Sequence, residues 1–283
     1  MDIKTIGIIG AGIMGSGISQ VMALSGFEVI MMDVKGEFIR RGLENIKKGF
    51  DKMIEKEKIT AEEKEKTLAR ICTTTRLEDM AKVDFVIEAA SEIAELKVDI
   101  FKRLDAVCPE NVILSTNTSS IPITRIASAT KREDKVIGMH FMNPAPVMKL
   151  VEIIRGTMTS DKTFAAVKGL AEKIGKIPVE SRDRPGFIVN RILMPMINEA
   201  VFAFMEGVAS AEDIDKAMTL GANQPIGPLA LADLIGLDTA LSIMESIYRE
   251  TRDPKHRPCP LLKRYVDTGE LGRKTGKGFY KYG

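Results

Sequence analysis

Histidine is scarce in this sequence. The 283 residues hold only His140 and His256, and two imidazoles so far apart exclude a multi-histidine metal centre. Cysteine is nearly as rare. Cys72, Cys108 and Cys259 are an odd number with no short spacing, which excludes a disulfide framework or a zinc site and reads as reduced thiols in a cytoplasmic protein. Neither sign of charge is in excess: 41 Lys+Arg against 39 Asp+Glu leave a formal +2. That gives no basic surplus for gripping a nucleic-acid backbone. No apolar run approaches the length of a bilayer span, so no membrane partner is expected. The apolar start of the chain lacks a signal-peptide pattern, and residues 3–9 read as a strand. What remains is a globular composition, 45% hydrophobic and 28% charged, in a length that suits one large domain or two ordinary ones.

Up to about residue 184 strand-like and helix-like segments alternate. Short apolar runs at 3–9, 27–32, 83–88, 112–115, 136–140, 148–154 and 177–180 read as strands. Helical patterns occupy 13–24, 37–58 and 92–107, and Thr60 followed by Glu63 has the form of a capping box. This β-α-β alternation predicts a Rossmann-type, mostly parallel sheet covered on both faces. Arg182-Asp183-Arg184-Pro185-Gly186 reads as a linker, with helical patterns beyond it at 187–206, 211–220, 229–248 and 261–268. The expected fold class is therefore α/β, a domain over residues 1–184 followed by an all-α domain over 185–283. So many apolar helices in so small a unit point to a subunit interface.

Gly10-Ala11-Gly12-Ile13-Met14-Gly15 has the G-x-G-x-x-G pattern between a strand and a helix. Gly10 permits the tight turn, Gly12 the approach of a pyrophosphate, and Gly15 close helix–strand packing. Phosphate charge is favoured at the helix N-terminus. Asp33 follows the second strand, 18 residues after Gly15, where a carboxylate accepts hydrogen bonds from both ribose hydroxyls of NAD and repels the 2′-phosphate of NADP. Lys35 stands close enough to soften that discrimination. FAD uses the same loop, but no second flavin-binding element follows, so NAD is the expected cofactor.

From residue 6 to residue 282 the chain resembles the short-chain L-3-hydroxyacyl-CoA dehydrogenases, most closely the bacterial 3-hydroxybutyryl-CoA dehydrogenases. The resemblance rests on Ser115-Thr116-Asn117-Thr118-Ser119-Ser120, Gly138-Met139-His140-Phe141-Met142-Asn143-Pro144, Met148-Lys149-Leu150-Val151-Glu152 and Pro185-Gly186-Phe187-Ile188-Val189-Asn190-Arg191. The segments 221–228 and 274–280 match as well. It implies an acyl-CoA thioester substrate, NAD, a homodimer formed through the helical domain, and a catalytic dyad of His140 and Glu152. His140 closes a strand, and the carboxyl ends of strands line the ligand crevice of such sheets. A carboxylate beside an imidazole fixes its tautomer and favours the imidazolium, although an ion pair of Glu152 with Lys149 or Arg155 also fits the bare sequence.

The resemblance further implies that Ser119 and Asn190 contact the substrate oxygen at C3 and that Glu92, Lys97, Asn117 and Asn143 contact the cofactor, with Ile13 and Met14 in the phosphate loop. From sequence alone Ser119 or Ser120 also fits as the cap of a short helix starting at Pro122. Lys48, Lys52 and Lys56 recur on one helix face. Acids intersperse them, so a solvated, ion-paired helix is the plain reading, whereas the resemblance makes Lys56 a contact for coenzyme A. The implied reaction interconverts acetoacetyl-CoA and 3-hydroxybutanoyl-CoA. Two alternatives remain open: a 3-hydroxy-acid dehydrogenase that needs no CoA, and a non-enzymatic, crystallin-like dinucleotide-binding protein.

Overall fold

The computed structural model describes residues 3–283. The chain divides into two compact units, one ending at Arg184 and the other spanning Pro185–Gly283. The first is built on eight strands: β1 Thr5–Ile9, β2 Glu28–Met32, β3 Ile71–Thr74, β4 Phe85–Glu88, β5 Ile113–Thr116, β6 Val136–Phe141, β7 Leu150–Arg155 and β8 Ile177–Arg182. They form one sheet in the order β3-β2-β1-β4-β5-β6-β7-β8. β1 to β6 run parallel to one another. β7 returns antiparallel to β6, and β8 runs parallel to β7. The expected mostly parallel sheet is therefore present, with a reversal at one side. The chain winds outward from β1 through β2 to β3, then crosses back to β4, so the switch point lies between β1 and β4. There the carboxyl ends of the strands open a crevice.

Among the described residues six α-helices accompany the sheet: α1 Ile13–Leu24, α2 Gly36–Glu55, α3 Ala61–Leu68, α4 Ala94–Val107, α5 Ile123–Ala127 and α6 Asp161–Lys173. The capping box is formed: Thr60 Oγ1 accepts from Glu63 N at 3.1 Å and Glu63 Oε2 accepts from Thr60 N at 2.7 Å. α2 turns Ile39, Gly42, Ile46 and Phe50 inward. A side chain at Gly42 would stand 2.7 Å from the Ala11 carbonyl, so this glycine lets α2 lie directly on the phosphate loop. Phe50, Phe85, Phe101 and Phe141 are fully buried, each stabilising the unit by about 2–3 kcal/mol. Arg132, buried itself, donates to the carbonyls of Asp105, Cys108 and Pro109 and pairs with Asp105, which closes the C-terminus of α4. Burial pushes the neighbouring Cys108 thiol up to about 11.

The second unit is helical: α7 Val189–Met205, α8 Ala211–Gly221, α9 Pro228–Ile235, α10 Leu237–Thr251 and α11 Pro260–Asp267. The single helix expected over 229–248 is instead two, because Gly236 adopts φ +97° and redirects the chain between α9 and α10. Asp215 on α8 accepts from Leu229 N and Ala230 N, both at 2.8 Å, and so caps α9. Tyr280 donates to the same carboxylate at 2.8 Å. Asp233 on α9 accepts from Phe279 N, Tyr280 N and Tyr282 Oη. The aromatic end of the chain is thus strapped across two helices. Among the described residues no helix is long and apolar enough to cross a membrane.

His256 lies buried in this unit, and neither ring nitrogen has a hydrogen-bond partner among the described residues. Burial, with the Arg191 and Lys255 cations nearby, holds its imidazole below the ordinary 6.5, against a weaker opposing pull from Asp253. A folded value below the unfolded one gives stability that is present above pH 6.5 and lost as the pH falls through the folded value. The thermal midpoint should therefore fall more steeply for the wild type than for His256→Gln between about pH 7 and pH 5.5. Parallel curves would remove His256 as the cause.

Candidate functional site

The phosphate loop connects β1 to α1, and its three glycines have different physical roles. Gly10 adopts φ +104°, and a side chain there would meet the Ala89 carbonyl at 2.6 Å. A Cβ on Gly15 would stand 1.8 Å from the Gly10 carbonyl oxygen, so α1 can start here only on a glycine. Gly12 is exposed, with nothing within 4 Å of a Cβ. The loop is packed at both ends and open in the middle, the form a pyrophosphate cradle needs. Ile13 is 72% exposed beside it, and Met14 is half-buried.

Asp33 lies one residue beyond β2. Its Oδ2 accepts from Ala11 N and its Oδ1 from Val34 N, each at 2.7 Å. The carboxylate is thus fixed against the glycine loop. The Lys35 ammonium sits over the Phe38 ring, 5.6 Å from its centroid. A cleft of about 450 Å³ opens here. One wall is Gly10, Gly12 and Asp33, and the other is Ala89, Ala90 and α4. Its size is that of a small-molecule site, and the open glycine and the fixed carboxylate fit a dinucleotide.

The loop after β5 is held by one carboxylate. Glu92 Oε1 accepts from Thr118 Oγ1 at 2.6 Å, from Ser119 N at 2.8 Å and Oγ at 3.1 Å, and from Ser120 N and Oγ, each at 3.1 Å. Burial pushes the Glu92 carboxyl up, but Lys97 and these hydrogen bonds outweigh it and hold it below the usual range. Neither serine caps α5. The N–H groups of Ile123 and Thr124 go instead to Asp183 at 2.9 and 2.8 Å. Lys97 also differs from a direct cofactor contact. It is 1% exposed, and its ammonium is spent on Glu88 Oε1 at 2.6 Å, the Ala90 carbonyl at 3.1 Å and Glu92 Oε2 at 3.5 Å.

His140 and Glu152 face each other across the antiparallel β6–β7 pair. Directly opposed side chains in such a pair are close neighbours. Here Nδ1 of His140 lies 2.7 Å from Oε2 of Glu152, with the residues 7% and 1% exposed. The alternative ion pair with Arg155 does not form, since that guanidinium pairs with Asp161 and Glu180. Asn117 Oδ1 accepts from Phe141 N at 2.8 Å, tying the serine loop to the histidine strand. Asn143, two residues past β6, is exposed and precedes Pro144 through a cis peptide. In the second unit Asn190 is the second residue of α7 and is buried. Lys48, Lys52 and Lys56 are exposed, Lys56 immediately after α2. Asp51 between them is taken by Lys64 of α3, so among the described residues no carboxylate pairs with the three lysines. Sequence reasoning missed a role for Glu88, a carboxylate with no exposure at the end of β4; in the sequence it reads only as the last residue of the strand 83–88.

Residues 5–184 match the family model for the 3-hydroxyacyl-CoA dehydrogenase NAD-binding domain, and residues 186–282 match that for the 3-hydroxyacyl-CoA dehydrogenase C-terminal domain. The chain is 54% identical over 282 residues to a probable 3-hydroxybutyryl-CoA dehydrogenase of Bacillus subtilis, covering 100% of this chain and 98% of that protein. It is 43% identical over 290 residues to the human mitochondrial hydroxyacyl-coenzyme A dehydrogenase, covering 99% of this chain and 91% of that one. The solved structure of (S)-3-hydroxybutyryl-CoA dehydrogenase from Ralstonia eutropha superposes with a TM-score of 0.96 at 52% identity, over 100% of both chains.

The glycine geometry separates folding from binding. Gly15→Ala should lower the thermal midpoint of the cofactor-free protein by about 5 °C. Gly12→Ala should leave that midpoint unchanged and weaken NADH binding about tenfold or more, read by fluorescence titration. Equal thermal losses in the two variants would contradict this division.

Proposed function

We propose how this chain, which belongs to the 3-hydroxyacyl-CoA dehydrogenase family and is an NAD-dependent oxidoreductase of that kind, divides the work of its reaction among its residues. The substrate pair is acetoacetyl-CoA and 3-hydroxybutanoyl-CoA, and His140 is the acid/base group. The observation that carries this reading is the buried 2.7 Å contact between His140 Nδ1 and Glu152 Oε2. With Nδ1–H directed at Glu152, Nε2 is the basic nitrogen. In oxidation it takes the proton of the 3-hydroxyl, and Glu152 stabilises the imidazolium so formed. In reduction the imidazolium returns that proton to the oxygen at C3. NAD, when bound, would supply the acceptor for the hydride of C3. Ser119 and Asn190 orient the C3 oxygen, and an amide donor on that oxygen steadies its developing negative charge.

Gly10, Gly12, Ile13, Met14 and Gly15 hold the pyrophosphate in this reading, and Asp33 holds the adenosine ribose. Asn117 and Asn143 border the nicotinamide. Glu92, 37% exposed, contacts the cofactor in this reading, and the buried Lys97 serves it from behind by holding Glu92 and the Ala90 carbonyl. The second unit, residues 185–283, supplies substrate contacts and a homodimer interface. Ile192 and Val208, 67% and 71% exposed, and the exposed Met205 support an apolar subunit contact. The free thiols of Cys72, Cys108 and Cys259 fit a reducing compartment, the cytoplasm.

Absorbance of the cofactor with acetoacetyl-CoA and NADH or NADPH tests the reading. Turnover with NADH should exceed that with NADPH. Reduction of free acetoacetate but not its thioester would favour the CoA-independent alternative, and no turnover of either would favour the non-enzymatic one. His140→Gln should bind NADH as the wild type does and lose about 100-fold or more in kcat; a fully active variant would refute the acid/base role. Lys56→Ala should raise KM for the CoA thioester about fivefold with little change in kcat, as loss of one exposed charge contact does. An unchanged KM would release Lys56 from the coenzyme A site.

A further inference from the structure

Glu88 ends β4, between β1 and β5, at the switch point of the sheet. Its carboxylate has no exposure and takes three donors. Oε1 accepts from Ala90 N at 2.7 Å and from Lys97 Nζ at 2.6 Å, and Oε2 accepts from Thr116 Oγ1 at 2.6 Å. Lys97 donates in turn to the Ala90 carbonyl at 3.1 Å. Both backbone groups of Ala90, a wall of the cofactor cleft, are thus fixed by one buried ion pair. On the other side Thr116 Oγ1 accepts from Thr118 N at 3.2 Å, and the Glu88 carbonyl accepts from Asn117 N at 2.7 Å. Glu92, with Lys97 at 3.5 Å, holds Thr118, Ser119 and Ser120.

We propose that Glu88 is a positioning residue for hydride transfer: through Lys97 and Thr116 it sets the Ala90 edge of the cofactor cleft and the Ser119 loop together. This rests on the reading of Ser119 as a substrate contact. Two carboxylates, Glu88 and Glu92, share one buried ammonium, which lies 2.6 Å from the first and 3.5 Å from the second. Removing the Glu88 charge leaves Glu92, among the described residues, as the one carboxylate paired with Lys97, so Lys97 should move toward it and compete with the serine loop for its oxygens. Stability does not require the pair, since replacing both members of a buried ion pair by neutral groups is often neutral or better, whereas breaking one side is costly. Orientation does require it, because Glu88 holds the N–H of Ala90 and Lys97 holds its C=O.

Four variants test this: Glu88→Gln, the charge-free double variant Glu88→Gln with Lys97→Met, Thr116→Ser and Thr116→Val. Readouts are the thermal midpoint, NADH affinity by fluorescence, and kcat with acetoacetyl-CoA. Glu88→Gln should lose thermal stability and about tenfold or more in kcat. The double variant should recover the midpoint and not the rate, and should bind NADH about fivefold more weakly than the wild type. Thr116→Ser should keep the wild-type rate, and Thr116→Val should lose about tenfold in kcat with the ion pair intact. Recovery of kcat together with the midpoint in the double variant would reduce the pair to a fold element and overturn the proposal. So would a wild-type rate in Thr116→Val. Ser119→Ala is read separately: a wild-type kcat there would fault the substrate reading of Ser119, while the NADH affinity of the double variant still reports on Ala90.

Discussion

A carboxylate accepting from the main-chain N–H groups of a loop recurs wherever this chain must hold an irregular segment still. Asp33 does it for the phosphate loop, Asp84 for the entry to β1 through Lys4 N and Thr5 N, and Glu92 for the serine loop. Asp183 does it for α5, Asp215 for α9 and Asp233 for the C-terminal strap. Loops lack a ladder for their donors, and each donor needs an acceptor once buried. An ionised acceptor contributes about 1.5–3 kcal/mol, more than a neutral one. Order at the crevice therefore comes from side-chain charge set against backbone dipoles.

The cations do the complementary work on carbonyls. Arg132 closes α4, Lys176 donates to the carbonyls of Ala145 and Met148, and Lys97 holds that of Ala90. Burial without a carboxylate partner holds the Lys176 ammonium below its ordinary value. Read this way, 41 basic against 39 acidic residues is more than a solvated surface. Part of each sign is spent on the main chain, acids on N–H groups and bases on C=O groups.

The parallel sheet and the phosphate loop with Asp33 were legible in the sequence, each a local pattern whose chemistry its spacing exposes. The pairing of His140 with Glu152 came from the resemblance, since the bare sequence allowed Glu152 an ion pair with Lys149 or Arg155 as well. β3 was not, because Ile-Cys-Thr-Thr is short and half polar. The break at Gly236 was not, because a lone glycine inside a helical pattern is usually tolerated. Glu88 with Lys97 and Asp183 with α5 were out of reach for another reason. They pair residues whose proximity exists only once the strands are ordered, and their types are those of ordinary surface charges. The resemblance to a known family supplied the names Ser119 and Asn190, which no spacing rule would have selected.

The reversal at β7 has a consequence for assembly. His140 and Glu152 lie 12 residues apart on one antiparallel hairpin, so closing a single short loop brings them together. The cofactor crevice gathers Gly10, Asp33, Ala89 and Arg103 from segments far apart in the chain and exists only after β4 has docked against β1. Loop-closure entropy must be met before such distant contacts repay it. Proton chemistry in this protein is thus a property of a local turn and hydride chemistry a property of the whole sheet, and damage to distant packing should erode cofactor affinity before it disturbs the acid/base pair.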